Sequence, residues 1–217
     1  MISRFGIRLL PSDMTQPITT PIPLKKAIRW YSSYDASGLT PLVSAFMTQP
    51  AYSRVCVHSV SDTRNEVGGI LIGQWCVDEN NEQFIVIEHA LPARYTRQGS
   101  VYLTFTQDSL VDIHEQIDTN YKGQKILGWY HTHPSMGVFL SHYDTWLHNH
   151  FFPEPWQVAL VVEPVSSTGG FFVRQKNGLF DPTRYFGFYE LDGNYGRSMV
   201  NWTNLYQFEE KEGDASK

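Results

Sequence analysis

Two histidines with one residue between them, followed eleven positions later by an aspartate, are the part of this sequence best suited to chemistry: His131, His133 and Asp144. On a β-strand, residues i and i+2 project to the same face, so both imidazoles can offer a ring nitrogen to one ion. Pro134 breaks such a strand, and residues 134–140 then lead as a loop to Ser141. Ser141 and Asp144 stand at i and i+3, on one side of a new helical turn, which delivers a carboxylate to the same point. Two imidazoles and one carboxylate leave the fourth tetrahedral position open to water, as in a catalytic zinc site; structural sites are closed and mostly built from cysteine. Bound zinc lowers the pKa of its water to about 7.

Such a site needs a base beside the water, and the best candidate is Glu66, at the head of EVGGILIG. Gly68 and Gly69 carry no side chain to hold neighbouring backbone away, so a strand beginning at Glu66 can lie close beside the histidine strand. Glu66 would take the water proton during attack and pass it to the leaving amine.

The elements that must position these groups are legible around them. ILGWYHTHP is a strand, SHYDTWLHNHF a short helix starting at Ser141, and QVALVVEP a buried strand between Pro155 and Pro164. VGGILIGQW and EQFIVIEHA are β-rich runs separated by DENN, a hairpin turn. VYLTFT is a strand, and from Thr106 the spacing of Leu110, Ile113, Ile117 and Tyr121 predicts a helix that stops near Gly123. Upstream, KKAIRWYSS alternates as a strand does, and Thr40-Pro41 has the form of an N-cap and first turn. It predicts a helix with Leu39, Val43, Phe46 and Met47 inward, ended by Pro50. SRVCVHSV fits helix or strand. GGFFVRQ and LFDPTRYFGFYEL flank Asn177-Gly178, a dipeptide suited to a two-residue hairpin turn. The expectation is an α/β domain with a mixed, curved sheet flanked by helices. Its division is an N-terminal extension at 1–50 containing a proline-rich linker (four prolines within 11–23), a catalytic domain at 51–208, and a disordered tail at 209–217.

Composition narrows the function. Of the 217 residues 41% are hydrophobic and 18% charged, which provides a core and argues against a disordered chain. The net charge is -5 with no basic stripe to follow a phosphate backbone, so nucleic acid is not an expected partner. No apolar run approaches the roughly 20 residues that span a bilayer, and the first residues do not have the form of a secretory signal, so no membrane is expected. The two cysteines, Cys56 and Cys76, are too few for a disulfide framework; they are expected to be buried, in a protein of the reducing cytoplasm.

Taken together, EVGGILIG, the later GWYHTHP and the spacing HxHPx6SxxD resemble the JAMM (MPN+) zinc metalloproteases, over about residues 52–175. The resemblance implies an MPN (cytidine-deaminase-like) fold, Zn2+ held by His131, His133 and Asp144, Glu66 as general acid/base, and Ser141 as hydrogen-bond donor to the developing oxyanion. Ser141 three residues before an acid also has the form of a capping box, which is compatible with that role. The family includes isopeptidases that remove ubiquitin or ubiquitin-like modifiers, and relatives in bacterial operons beside ubiquitin-like proteins and their activating and conjugating enzymes, several tied to antiphage defence. It also includes peptidases that trim sulfur-carrier proteins, and MPN domains that are scaffolds lacking the ligands. GWYHTHP and VFLS look like the deconjugating branch. The endosomal members carry a second zinc on histidines and a cysteine shortly after the aspartate; here His148 and His150 fall two positions too far on, with no cysteine nearby, and they stay outside the expected site. Trp129, Trp146 and Trp156 are expected to serve packing.

Overall fold

The computed structural model describes residues 16–38, 40–94, 96–99, 102–105, 107–191 and 197–208; the start of the proline-rich linker and the expected disordered tail lie outside these. In chain order the elements are β1 (Ile18–Thr19), β2 (Ala27–Trp30), β3 (Ser44–Thr48), α1 (Gln49–Ser59), β4 (Gly68–Val77), β5 (Gln83–Pro92), β6 (Thr96–Gly99), β7 (Tyr102–Phe105), α2 (Gln107–Asn120), β8 (Lys125–Thr132), α3 (His142–Phe151), β9 (Val158–Glu163), β10 (Thr168–Phe172) and β11 (Phe188–Leu191). Eight strands run in the order β10-β9-β8-β4-β5-β3-β11-β2, β1 adds to the end of β4, and β6 pairs with β7 in a separate ribbon. Pairing is parallel for β8–β9, β3–β5 and β3–β11 and antiparallel along the rest of the path, so the sheet is mixed as expected.

Both faces are covered, which is why the central strands are apolar on both sides. Ala51, Tyr52 and Val55 of α1 pack with Leu71, Ile87, Tyr130 and Leu160 on one face. Ile113 of α2 and Leu147 of α3 pack with Ile70, Ile72, Trp129 and Val161 on the other. β8 carries an extra residue where its pairing with β4 slips between Leu71 and Ile72. This bulge shifts the phase of the strand, so that Ile126 and Trp129, three apart, face the same layer. Gly128 sits at the slip with φ 149°, and a Cβ there would meet the carbonyl oxygen of Val158 at 1.9 Å. Gly69 is equally confined, because a Cβ would stand 2.1 Å from the carbonyl oxygen of Leu91. Among the described residues no helix is long and apolar enough to cross a membrane.

Two local expectations are corrected. Residues 44–48 form a strand, not the second half of a helix: Ala45 and Met47 enter one core and Phe46 another, a two-residue period buried on both faces. The helix begins where that one was expected to end. Pro50 lies in its first turn, where a missing N–H costs nothing, and the Thr48 hydroxyl accepts from the Ala51 amide at 3.4 Å. The signal seen in Thr40-Pro41 is met instead by Thr48 and Pro50, and SRVCVHSV belongs to this helix. The Asn177-Gly178 hairpin is also not formed as expected. Only Gly178 has positive φ, at 82°, and the turn closes through Gln175 and Leu179. β10 pairs with β9, and β11 with β3 and β2, leaving one bridge, Phe171–Phe186, between the two segments. Part of the expected N-terminal extension therefore contributes β2 and β3 to the main sheet.

Gly69→Ala should cost about 1–3 kcal/mol through forced separation of β4 and β5, read as a lower denaturation midpoint in urea at unchanged slope.

Candidate metal centre

β8 ends at Thr132, and His133 continues its path, its amide donating to the Val162 carbonyl at 2.9 Å. His131 lies opposite Gly68 across the β4–β8 ladder. Just before that ladder, Thr132 makes two bonds to Val67: the Thr132 amide donates to the Val67 carbonyl and the Val67 amide to the Thr132 hydroxyl, each at 2.9 Å. This clasp brings Glu66 to the Nε2 side of His133, with Oε1 3.9 Å from that nitrogen.

Beyond Pro134 the chain turns sharply. Ser135 has φ 59°, and its amide donates to the buried Glu163 carboxylate at 3.0 Å, anchoring the loop to the end of β9. The Leu140 amide bonds the Pro182 carbonyl, and Ser141 then caps α3. The cap is a reciprocal box: the Asp144 amide donates to Ser141 Oγ at 3.1 Å, and the Ser141 amide to Asp144 Oδ2 at 2.7 Å. A hydroxyl that accepts through a lone pair still carries a proton that it can donate.

The outcome is a close cluster. His131 Nε2 and His133 Nε2 are 3.0 Å apart, and Asp144 places Oδ1 3.5 Å from the first and Oδ2 3.5 Å from the second. Glu66, His131, His133 and Asp144 are all buried. Zinc with bonds of about 2.0–2.1 Å sets tetrahedral donors about 3.3 Å apart, a spacing that the observed separations bracket. The donor chemistry fits as well: among the described residues these three are the group of histidine and carboxylate donors that could hold one ion. Each imidazole aims Nε2 at the common point, while His131 Nδ1, His133 Nδ1 and Glu66 Oε2 are buried without a hydrogen-bond partner.

The electrostatics divide the two carboxylates. Burial, and then the nearby Asp144, push Glu66 up to about 8, making it a far better proton acceptor than an exposed carboxylate. Burial also works against ionisation of Asp144, but His131 above all, with bonds from His133 and Ser141, holds it well below the usual range. Burial lowers His131, which favours the neutral imidazole that a metal requires.

The structure thus brings together Glu66, His131, His133, Ser141 and Asp144. His148 and His150 stand apart: His148 is buried behind Trp129, and exposed His150 has its Nδ1 2.7 Å from the Trp146 carbonyl. Trp129 and Trp156 are core residues as expected, whereas Trp146 is 45% exposed. Cys76 is buried and Cys56 half-buried. Sequence reasoning missed Thr132 and Glu163; an acidic residue closing an otherwise apolar strand in VVEP was the available signal for the second.

Residues 46–152 match the family described as JAB1/Mov34/MPN/PAD-1 ubiquitin protease. Over 123 residues the chain is 34% identical to subunit 5 of the COP9 signalosome complex of Caenorhabditis elegans, covering 53% of this chain and 31% of that protein. Over 153 residues it is 28% identical to the 26S proteasome regulatory subunit rpn11 of Schizosaccharomyces pombe, covering 67% of this chain and 48% of that one. The chain spans less than half the length of these curated relatives. A solution structure of a Desulfitobacterium hafniense protein superposes with a TM-score of 0.49 at 20% identity, covering 68% of this chain and 92% of that one.

Ser141→Ala should lower the stability of the metal-free protein by about 0.5–2 kcal/mol through loss of the cap, measured by equilibrium denaturation in the presence of a chelator.

Proposed function

We infer that this chain, which belongs through residues 46–152 to the JAB1/Mov34/MPN/PAD-1 ubiquitin protease family, is a zinc-dependent peptidase. Its reaction is hydrolysis of the bond that follows the C-terminal tail of a ubiquitin-like protein, in a conjugate or a precursor. The observation that carries the reading is the placement of a fourth group: Glu66, held by the Thr132 clasp, sits 3.9 Å from a nitrogen of the His131–His133–Asp144 trio. A trio serving structure alone has no use for a buried, unpartnered carboxylate oxygen at its open side.

The residues divide the work. His131, His133 and Asp144 hold the ion, and zinc bound there supplies Lewis acidity to a water and to the scissile carbonyl. Glu66 accepts the proton of the attacking water and returns it to the leaving amine. Ser141, whose hydroxyl accepts from the Asp144 amide in the cap, donates to the oxygen on which charge develops. The catalytic unit is residues 51–208, its sheet completed by β2 and β3. β3 accompanies β5 only over Phe84–Ile87, so beyond it the outer edge of β5 has no strand beside it among the described residues. An extended tail adds to such an edge through main-chain hydrogen bonds, which supports a substrate path near residues 89–101, or along 134–140. Activating and conjugating enzymes of the same modifier are the matching partners.

Lysine-linked and linear ubiquitin-like fusions, incubated with the zinc-loaded chain, test this: cleavage of the lysine-linked form is expected. Cleavage of the linear form alone would assign a trimming peptidase, and cleavage of neither a scaffold. Glu66→Gln should keep zinc and lose about 10²–10⁴-fold in kcat, while His133→Ala should lose metal and activity together; undiminished turnover by Glu66→Gln would overturn the proposed role.

A further inference from the structure

His148, left outside the expected site on sequence grounds, is fully buried, with no exposed surface. Its place follows from two periodicities. On α3, i+4 sets His148 one turn behind Asp144; on β8, i−2 sets Trp129 one step behind His131, on the same face. The two residues meet there as the two ligands do in front. Trp129 Nε1–H donates to His148 Nδ1 at 3.2 Å. The Trp129 ring also lies parallel to that of His131, with centroids 4.3 Å apart and 8° between planes.

The far side of His148 is closed as well. Arg174, two residues beyond β10, brings NH1 to 3.1 Å from His148 Nε2, and donates to the Glu154 carbonyl, to Asn149 Oδ1 and to the Phe152 carbonyl. Phe180 covers the imidazole at 4.6 Å and 5°. A neutral imidazole accepts at one nitrogen only. Trp129 Nε1–H can only donate, so its bond to Nδ1 requires the lone pair on that nitrogen, and the guanidinium has three other acceptors for its N–H groups. Burial, and then Arg174, push His148 down to about 3, which keeps it neutral and able to accept.

We propose that Trp129 and His148 are positioning residues for the metal centre: their hydrogen bond locks β8 to α3 directly behind His131 and Asp144 and so sets the separation of those two ligands. This rests on the reading of the trio as a zinc site. Neither residue touches the ion, and their effect is on the affinity with which the trio closes around it. Groups behind metal ligands typically change affinity by about 10–100-fold when removed.

Zinc affinity, measured by competition with a chromophoric chelator on the full chain, tests this without reference to turnover. Trp129→Phe keeps the stacked ring but removes the N–H, and should weaken zinc binding about tenfold or more. His148→Leu should do the same, the double variant should be no weaker than the worse single one, and His148→Asn, which restores an acceptor near Nδ1, should recover most of the loss. Melting of the metal-free variants separates this from packing: a purely structural pair lowers the melting temperature but leaves the affinity of the folded protein unchanged, with Asn the most damaging substitution. Zinc affinity of Trp129→Phe within twofold of wild type would overturn the proposal, and this variant alone decides if His148→Leu does not fold. Wild-type protein that binds no zinc would instead overturn the reading of the trio itself.

Discussion

Two imidazole nitrogens 3.0 Å apart, each 3.5 Å from a carboxylate oxygen and all shut away from water, form the arrangement on which this structure turns. Burying three such groups together opposes folding, since each loses hydration and only partly regains it from its neighbours. The surrounding fold must therefore hold them by other means. A two-residue strand period sets the histidines, a capping box sets the carboxylate, and the bulge in β8 chooses the face on which both meet. The Thr132–Val67 clasp adds Glu66 from the segment leading into β4, and Glu163 holds the loop between His133 and Asp144.

These supports come from well-separated stretches of the chain. The two central strands pair antiparallel, and confined glycines at 69 and 128 let backbones approach where a side chain would collide with a carbonyl. Parallel pairing of β8 with β9 places Glu163 beside the loop it anchors. β3, which precedes every residue of the site in the chain, completes the sheet between β5 and β11. Among the described residues no strand lies beside the outer edge of β5 past Ile87, where the proposed tail would add.

The trio and Glu66 were legible in the sequence because each is placed by a short-range rule: i to i+2 on a strand, i to i+3 at a helix start, glycine beside a close neighbour. What escaped was set by distant partners. SAFMT has too few residues to show its two-residue period, and its burial depends on β5 and β11, so a Thr-Pro signal nearby outweighed it. His148 falls in the last turn of α3, and the packing of Trp129, Phe152, Phe180 and Arg174 around it makes it core. Asn177-Gly178 turns the chain, but the strands beside it pair elsewhere, which no local signal records.

The proposed function depends most on His131, His133 and Asp144 sharing one zinc ion. Anomalous diffraction across the zinc absorption edge, from crystals of the chain grown with zinc, tests it directly. A single peak about 2.0–2.1 Å from His131 Nε2, His133 Nε2 and an Asp144 oxygen is the expected result. No peak at the trio, or zinc bound at His148 or His150 with the trio empty, would contradict it.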